Sequence, residues 1–197
     1  MSARAHAPRD AVVYHDCIVG GNIEVEAKWE ADEREHERLR IVLRQAGASH
    51  TDTVHETNAL FDSADGALRE SRNVLRLRRL DDGHSILAHK GQATYREGVK
   101  TREETELHVA DHDAMIAILN SLGFTVSLEY EKTRESWQLE GVVVALDILA
   151  FGHFVEIEGP DDEIRRTADL LGLDMAKTKR RGYPSMMRAH QARQRAD

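Results

Sequence analysis

Six segments of this chain alternate apolar and charged residues with a period of two, and their charges recur as like-signed pairs. In Asn22–Glu30, Glu24, Glu26 and Lys28 share one face, opposite Ile23, Val25, Ala27 and Trp29. Arg76 and Arg78 face away from Leu75 and Leu77 in Val74–Leu80, and Val99–Val109 gathers Arg102, Glu104 and Glu106 on one face. Lys132 and Arg134 are paired two residues apart, Asp147 shares a face with Val143 and Ala145, and Glu156 and Glu158 oppose Val155 and Ile157. Successive side chains of a strand point to opposite faces, so each segment has one apolar and one charged side. A single such strand is ordinarily half buried with a solvated outer face. Six of them, five carrying like-signed pairs, fit that reading poorly, because like charges two residues apart gain nothing in water. Paired carboxylates suit hard divalent cations such as Mg²⁺ or Mn²⁺, and paired Arg and Lys suit phosphate oxygens. If the sheet curls with its charged faces inward, a metal-bound polyphosphate satisfies both sets. Such a cavity must hold water or ligand, since unpaired buried charge is very costly.

The remaining patterns predict α+β architecture. A helix is expected over Ala31–Gly47, a strand over Thr51–Asp62, and a hairpin from Val74–Leu80 and Ser85–Lys90 around Asp81-Asp82-Gly83. Asp111 is placed to cap a helix ending at Leu122, before Gly123. Phe124–Leu139, Val142–Leu149 and Phe154–Glu158 read as strands. Pro160 opens a helix over Asp161–Leu171 whose first turn is acidic, as the helix dipole favours, and a last helix covers about Pro184–Arg195. About eight strands joined mostly by short turns predict one large antiparallel sheet, and a sheet of that size tends to curl or close.

Composition bounds the partners. Lys and Arg number 27 and Asp and Glu 35, a net charge of −8, which argues against nonspecific nucleic-acid binding. Cys17 is the sole cysteine, so no intramolecular disulfide or CxxC motif exists, and a reduced, cytoplasmic setting without a membrane segment is expected. Residues 1–21 read as a partly ordered lead-in and 22–197 as a single domain. The eleven histidines show no HxH or HExxH spacing.

Glu24-Val25-Glu26-Ala27-Lys28 matches the ExExK signature of the CYTH superfamily, the triphosphate tunnel metalloenzymes, and the resemblance continues in order to about Met187. Leu75-Arg76-Leu77-Arg78 resembles the family's LRxR stretch, and Leu87–Gly91 its lysine strand, with Ala88 in place of a threonine. Arg102–Glu106 fits RxExE, Lys132-Thr133-Arg134 fits KxR, and Phe154–Gly159 fits FVEIEG. Gly182-Tyr183-Pro184-Ser185-Met186 stands where the family has an SYxxL-like element.

The resemblance implies a closed eight-stranded antiparallel barrel flanked by helices, with a triphosphate-bearing small molecule as substrate and Mg²⁺ or Mn²⁺ as cofactor. It implies Glu24, Glu26 and Lys28 at the catalytic centre. The metal ligands are then drawn from Glu24, Glu26, Asp147, Glu156 and Glu158, with Glu104 and Glu106 assisting. Lys28, Arg76, Arg78, Lys90, Arg102, Lys132 and Arg134 are expected to hold phosphate oxygens. Lys177, Lys179, Arg180 and Arg181 compete for one further basic position, with Lys179 favoured. Hydrolysis of tripolyphosphate, a nucleoside triphosphate or thiamine triphosphate is the leading reading. Cyclisation of ATP, as in class IV adenylyl cyclases, and non-catalytic polyphosphate or nucleotide binding stand beside it. A homodimer is compatible with the family. The seven bases and seven acids assigned to the inner face sum to zero, which puts the −8 on the outer surface and tails. Trp29 and Trp137 are expected outside the barrel, and Tyr183 at its mouth.

Overall fold

Strand β1 (Asn22–Ala31) is hydrogen-bonded on both sides, and that double pairing closes the sheet. The computed structural model describes residues 22–196; the lead-in and Cys17 lie outside them. On one side of β1 runs β9 (Gly152–Glu158), with Glu26 opposite Glu158 and Lys28 opposite Glu156. On the other runs β6 (Val99–Val109), with Glu24 opposite Arg102 and Glu26 opposite Lys100. The ring continues from β9 through β8 (Val142–Leu149), β7 (Phe124–Leu139), β2 (Ser49–Ser63), β3 (Val74–Leu80) and β4 (Ser85–Lys90) back to β6. All neighbours are antiparallel, so eight strands form the barrel expected from the sequence. Closure leaves no exposed edge in the ring. A three-residue strand, β5 (Thr94–Arg96), adds to β6 beyond the end of β4.

The apolar faces point outward and are covered by helices. Helix α1 (Glu33–Gln45), capped by the Asp32 carboxylate accepting from the Glu35 amide at 2.8 Å, packs Leu39 and Leu43 onto one side of the barrel. There they join Trp29, Trp137, Val144, Leu146, Val155 and Ile157, with Ile164, Ala168 and Leu171 of α4 (Asp161–Leu171). The two tryptophans are therefore outside the barrel. Helix α3 (His112–Ser121) covers Ala59, Phe61 and Leu77 with Leu119. Helix α5 (Tyr183–Gln194) differs: it packs on the inner face at one end of the barrel, where Tyr183 and Met187 meet Leu60, Leu128, Tyr130, Leu149 and Phe154.

Three short elements escape the periodicity argument because they are too brief to show a period: β5, the single-turn helix α2 (Ala67–Glu70) and a 3-10 turn at Met175–Lys177. Helix α2 exists because the buried Asp62 carboxylate accepts from the backbone amides of Leu68 and Arg69 at 2.9 and 3.2 Å. Strand β2 also starts two residues before its sequence-predicted limit, and β9 likewise. Among the described residues no helix is long and apolar enough to cross a membrane.

Candidate active site: a charged tunnel through the barrel

With the apolar faces outward, the charged faces line a cavity of about 400 Å³ inside the ring. Thirteen of the fifteen sequence-predicted site residues line it: Glu24, Glu26, Lys28, Arg76, Arg78, Lys90, Arg102, Glu104, Glu106, Lys132, Arg134, Glu156 and Glu158. Two do not. Lys179 sits on the outer surface, its Nζ 2.7 Å from Glu30 Oε2, because the chain crosses outside β1 there and the Lys179 amide donates to the Lys28 carbonyl. Asp147 is wholly buried behind the cavity wall. Its carboxylate accepts from Arg134 Nε and Nη2 at 2.7 and 2.6 Å, and from the Tyr183 hydroxyl at 2.7 Å. Tyr183 is thus part of the wall itself, with the Lys28 ammonium 3.7 Å from its ring centroid.

Arg72, Lys100, Tyr130 and Glu56 complete the site without having been singled out in the sequence. Lys100 lies on the same face of β6 as Arg102, so period-two counting carried one step further would have found it. Glu56 and Asn58 look like polar interruptions of β2 in the sequence; in the barrel they are inward residues, 1% and 0% exposed. Arg72 stands in a loop with φ of 60°, in a left-handed conformation that no periodicity encodes.

Counting Arg72 and Lys100, nine cationic side chains and six carboxylates line the cavity, so its wall is positive rather than balanced. The ions form a dense lattice. Lys90 Nζ is 2.8 Å from Glu24 Oε1 and 2.7 Å from Glu104 Oε1. Lys100 Nζ is 2.6 Å from Glu26 Oε1, and Arg102 Nε is 2.6 Å from Glu24 Oε2. Lys28 Nζ is 2.8 Å from Glu156 Oε1, and Arg134 also holds Glu156. Arg76 and Arg78 share Glu106 Oε1 at 3.4 and 3.3 Å.

Burial, followed by the crowding of like charges, shows in the titration of individual groups. Burial first, then the neighbouring Arg76, holds the Lys90 ammonium pKa below its usual value. Burial and Arg134 do the same to Lys132. Lys28 moves the other way: burial works against its charge, but Glu156 and Glu26 outweigh burial. The Nε groups of Arg76 and Arg78 are buried and donate to nothing among the described residues. Crowded cations with spare donors are what a polyanion relieves.

One end of the cavity has the opposite character. Glu26 and Glu158 are directly opposed across β1 and β9, with Glu24 two residues along on the same face. Directly opposed like charges destabilise a sheet unless something lies between them. Glu158 reaches solvent at the tunnel's end, yet partial desolvation and then the Glu24 and Glu26 carboxylates raise its pKa, and it has no ion-pair partner among the described residues. Burial and the Glu24 carboxylate likewise push Glu104 up to about 7. Hard oxygen donors gathered on adjoining strands, with Glu26 facing Glu158 directly, are the ligand type a divalent ion such as Mg²⁺ takes. Among the described residues, no three acids or histidines already converge at metal-binding distance.

Glu56 makes a clean acid-stability probe. Burial alone would raise its pKa, but Lys132 and Arg78 hold it down at about 2. A carboxyl depressed in the folded state stabilises the fold above its ordinary pKa, and that stability is lost as the pH falls from about 4.5 to 2. The loss expected from Glu56 is about 3 kcal/mol. Urea titrations across that window should show Glu56→Gln losing stability less steeply than the unmodified protein; parallel curves would remove Glu56 from the acid response.

A closed antiparallel barrel whose charged inner face runs through a tunnel defines a recognisable class. Residues 22–183 match the family model of the CYTH domain, and the chain belongs to that family. The family includes triphosphatases and adenylyl-cyclase-like proteins, and divalent-metal dependence is general in it. A Methanocaldococcus jannaschii protein named "Putative adenylate cyclase MJ0240" is 28% identical over 150 residues, spanning 76% of this chain and 83% of that protein. Among solved structures, the PH1819 protein of Pyrococcus horikoshii superposes with a TM-score of 0.71 at 27% identity, covering 85% of this chain and 99% of that one. A Vibrio parahaemolyticus structure described as "a putative adenylate cyclase" gives a TM-score of 0.73 at 21% identity, over 85% and 99% of the two chains.

Proposed function

We propose that the protein hydrolyses the phosphoanhydride of a triphosphate-bearing small molecule inside the tunnel, with Mg²⁺ or Mn²⁺ as cofactor. The observation that carries this reading is the sorting of charge: crowded cations along the cavity, and at one end the three carboxylates Glu24, Glu26 and Glu158 on neighbouring strands, with Glu26 and Glu158 directly opposed and Glu158 without an ion-pair partner among the described residues. An ion held by those three carboxylates would neutralise phosphate charge and orient the chain for in-line attack. Lys28, Arg76, Arg78, Lys90, Arg102, Lys132 and Arg134 bind the phosphate oxygens, displacing the carboxylates that occupy them in the free protein. Phosphoryl transfer passes through a loose transition state, so fixed positive groups around the leaving phosphate do most of the catalysis. Glu104, near neutrality at about 7, is suited to take the proton of the attacking water.

Cyclisation of ATP is the second reading, favoured by the name of the M. jannaschii relative. There the ribose 3′-hydroxyl replaces water as nucleophile and pyrophosphate leaves. One experiment separates the two: incubation with Mg²⁺ or Mn²⁺ and tripolyphosphate, ATP or thiamine triphosphate, followed by product identification. Orthophosphate release is expected, along with its loss in excess EDTA and its return on adding back the metal. Cyclic AMP with pyrophosphate would overturn hydrolysis in favour of cyclisation. Binding without turnover of any of the three would make the tunnel a receptor.

A further inference from the structure

The tunnel opens beside a second cavity of about 240 Å³, and the two share Arg72, Val74, Pro184 and Ser185 as a common wall. That volume equals roughly eight waters. Its lining differs sharply from that of the tunnel. Leu60, Phe61, Leu68 and Leu75 give it an apolar floor, while Arg69, Arg72 and Arg188 supply three guanidinium groups. The one carboxylate in the lining, Asp62, is committed to the amides of Ser63, Leu68 and Arg69 and faces no cation at salt-bridge distance among the described residues. Arg188 is pinned by donating to the Ser127 carbonyl and hydroxyl, both at 3.1 Å, and burial and the nearby Arg69 depress its pKa. Arg72 keeps its left-handed backbone at the junction, and its side chain has no hydrogen-bond or ion-pair partner among the described residues. That backbone belongs to the turn ending α2, where the Arg72 amide donates to the Arg69 carbonyl and the Asn73 amide to the Leu68 carbonyl, so what Arg72 offers a ligand is its uncommitted guanidinium.

We propose that this cavity is a base subsite, which takes the uncharged purine or pyrimidine of a nucleoside triphosphate whose phosphates lie in the tunnel. The inference rests on the tunnel binding a triphosphate, and it narrows the substrate class. Planar guanidinium groups over an apolar floor stack on a neutral heteroaromatic ring. The same three arginines repel the cationic thiazolium of thiamine triphosphate. An inorganic chain would find cations there but no use for the apolar floor.

The test compares affinities for ATP, tripolyphosphate and thiamine triphosphate by calorimetry in the full chain and in two variants. Leu68→Trp fills the cavity, and Arg188→Ala removes one guanidinium. The wild type should bind ATP more tightly than thiamine triphosphate. In both variants the ratio of ATP to tripolyphosphate dissociation constants should rise about fivefold or more, the lower end of the effect of losing a base-stacking group. Photolabelling with 8-azido-ATP should mark residues 60–75 or 184–188. An unchanged ratio in both variants, or label confined elsewhere, would overturn the subsite while leaving the triphosphate reading intact. Failure of the wild type to bind tripolyphosphate would remove the tunnel reading and the subsite with it.

Discussion

Glu26→Gln is expected to lower turnover by at least about a hundredfold while leaving the fold in place, the scale seen when one group that stabilises developing charge is removed. The substitution keeps the shape of the side chain and removes its charge. Glu26 is opposed to Glu158 across β1 and β9 and is 2.6 Å from Lys100. The two contacts pull stability in opposite directions. Losing the charge weakens the Lys100 pair, but Lys100 keeps Glu24 at 3.3 Å, and the like-charge opposition to Glu158 disappears. Little net change in thermal midpoint should follow. Function has no such compensation, because the proposed ion site needs the negative charge of Glu26 beside Glu24 and Glu158. Glu24→Gln should lose turnover similarly, at a larger cost in stability, since Glu24 answers Lys90, Lys100 and Arg102 together. Steady-state kinetics over a Mg²⁺ series, with calorimetric Mg²⁺ binding and thermal melts, check both variants. Glu26→Gln at wild-type turnover would refute the assignment of metal to this end of the tunnel.

Why the inner face was so readable follows from the geometry of strands. Period-two alternation is strict, so any strand with one charged face announces which residues point together, and barrel closure decides only whether they point in or out. Thirteen site residues were legible on that basis. Lys100 fell on the same face and was passed over because it does not belong to the RxExE pattern beside it. Glu56 and Asn58 were hidden because their outward neighbours Thr53, His55 and Thr57 are polar as well, so this part of β2 shows no contrast between its two faces although its register is unbroken from Asp52 to Leu60. Arg72 and Lys179 are loop residues, and their directions depend on turns that carry no period. The failure at Lys179 shows the limit of motif spacing. It lies four residues before Tyr183, yet the backbone runs outside β1 and only re-enters the tunnel at Gly182.

Asp147 illustrates a different limit, and its replacement carries a large expected stability effect. Alternation put Asp147 on the inner face correctly, but it could not show that Arg134 and Tyr183 would close over it. Both carboxylate oxygens are saturated by the bidentate Arg134 fork and the Tyr183 hydroxyl, with Lys132 3.6 Å away, and the residue is wholly buried. Asp147→Asn removes the charge and turns one acceptor into a donor facing existing donors. Removing one partner of a buried ion pair costs about 3–5 kcal/mol. Arg134 retains Glu156, so the lower end is expected, about 3 kcal/mol, equivalent to roughly 6–12 °C in melting temperature for a chain of this length. Tyr183→Phe, which removes a single hydrogen bond to a charged acceptor, should cost about half as much. A direct metal ligand behaves differently: neutralising it abolishes metal affinity and relieves charge repulsion in the free protein. Urea unfolding measured beside Mg²⁺ calorimetry tells the two apart. Asp147→Asn should lose stability with Mg²⁺ affinity changed far less than in Glu26→Gln. A variant as stable as the parent that no longer binds Mg²⁺ would return Asp147 to the metal site. The distinction matters for the tunnel as a whole, because Asp147 fixes the orientation of Arg134. Through Tyr183 it also holds the ring on which Lys28 rests. Two of the cations proposed to bind phosphate thus take their positions from one carboxylate that does not line the cavity.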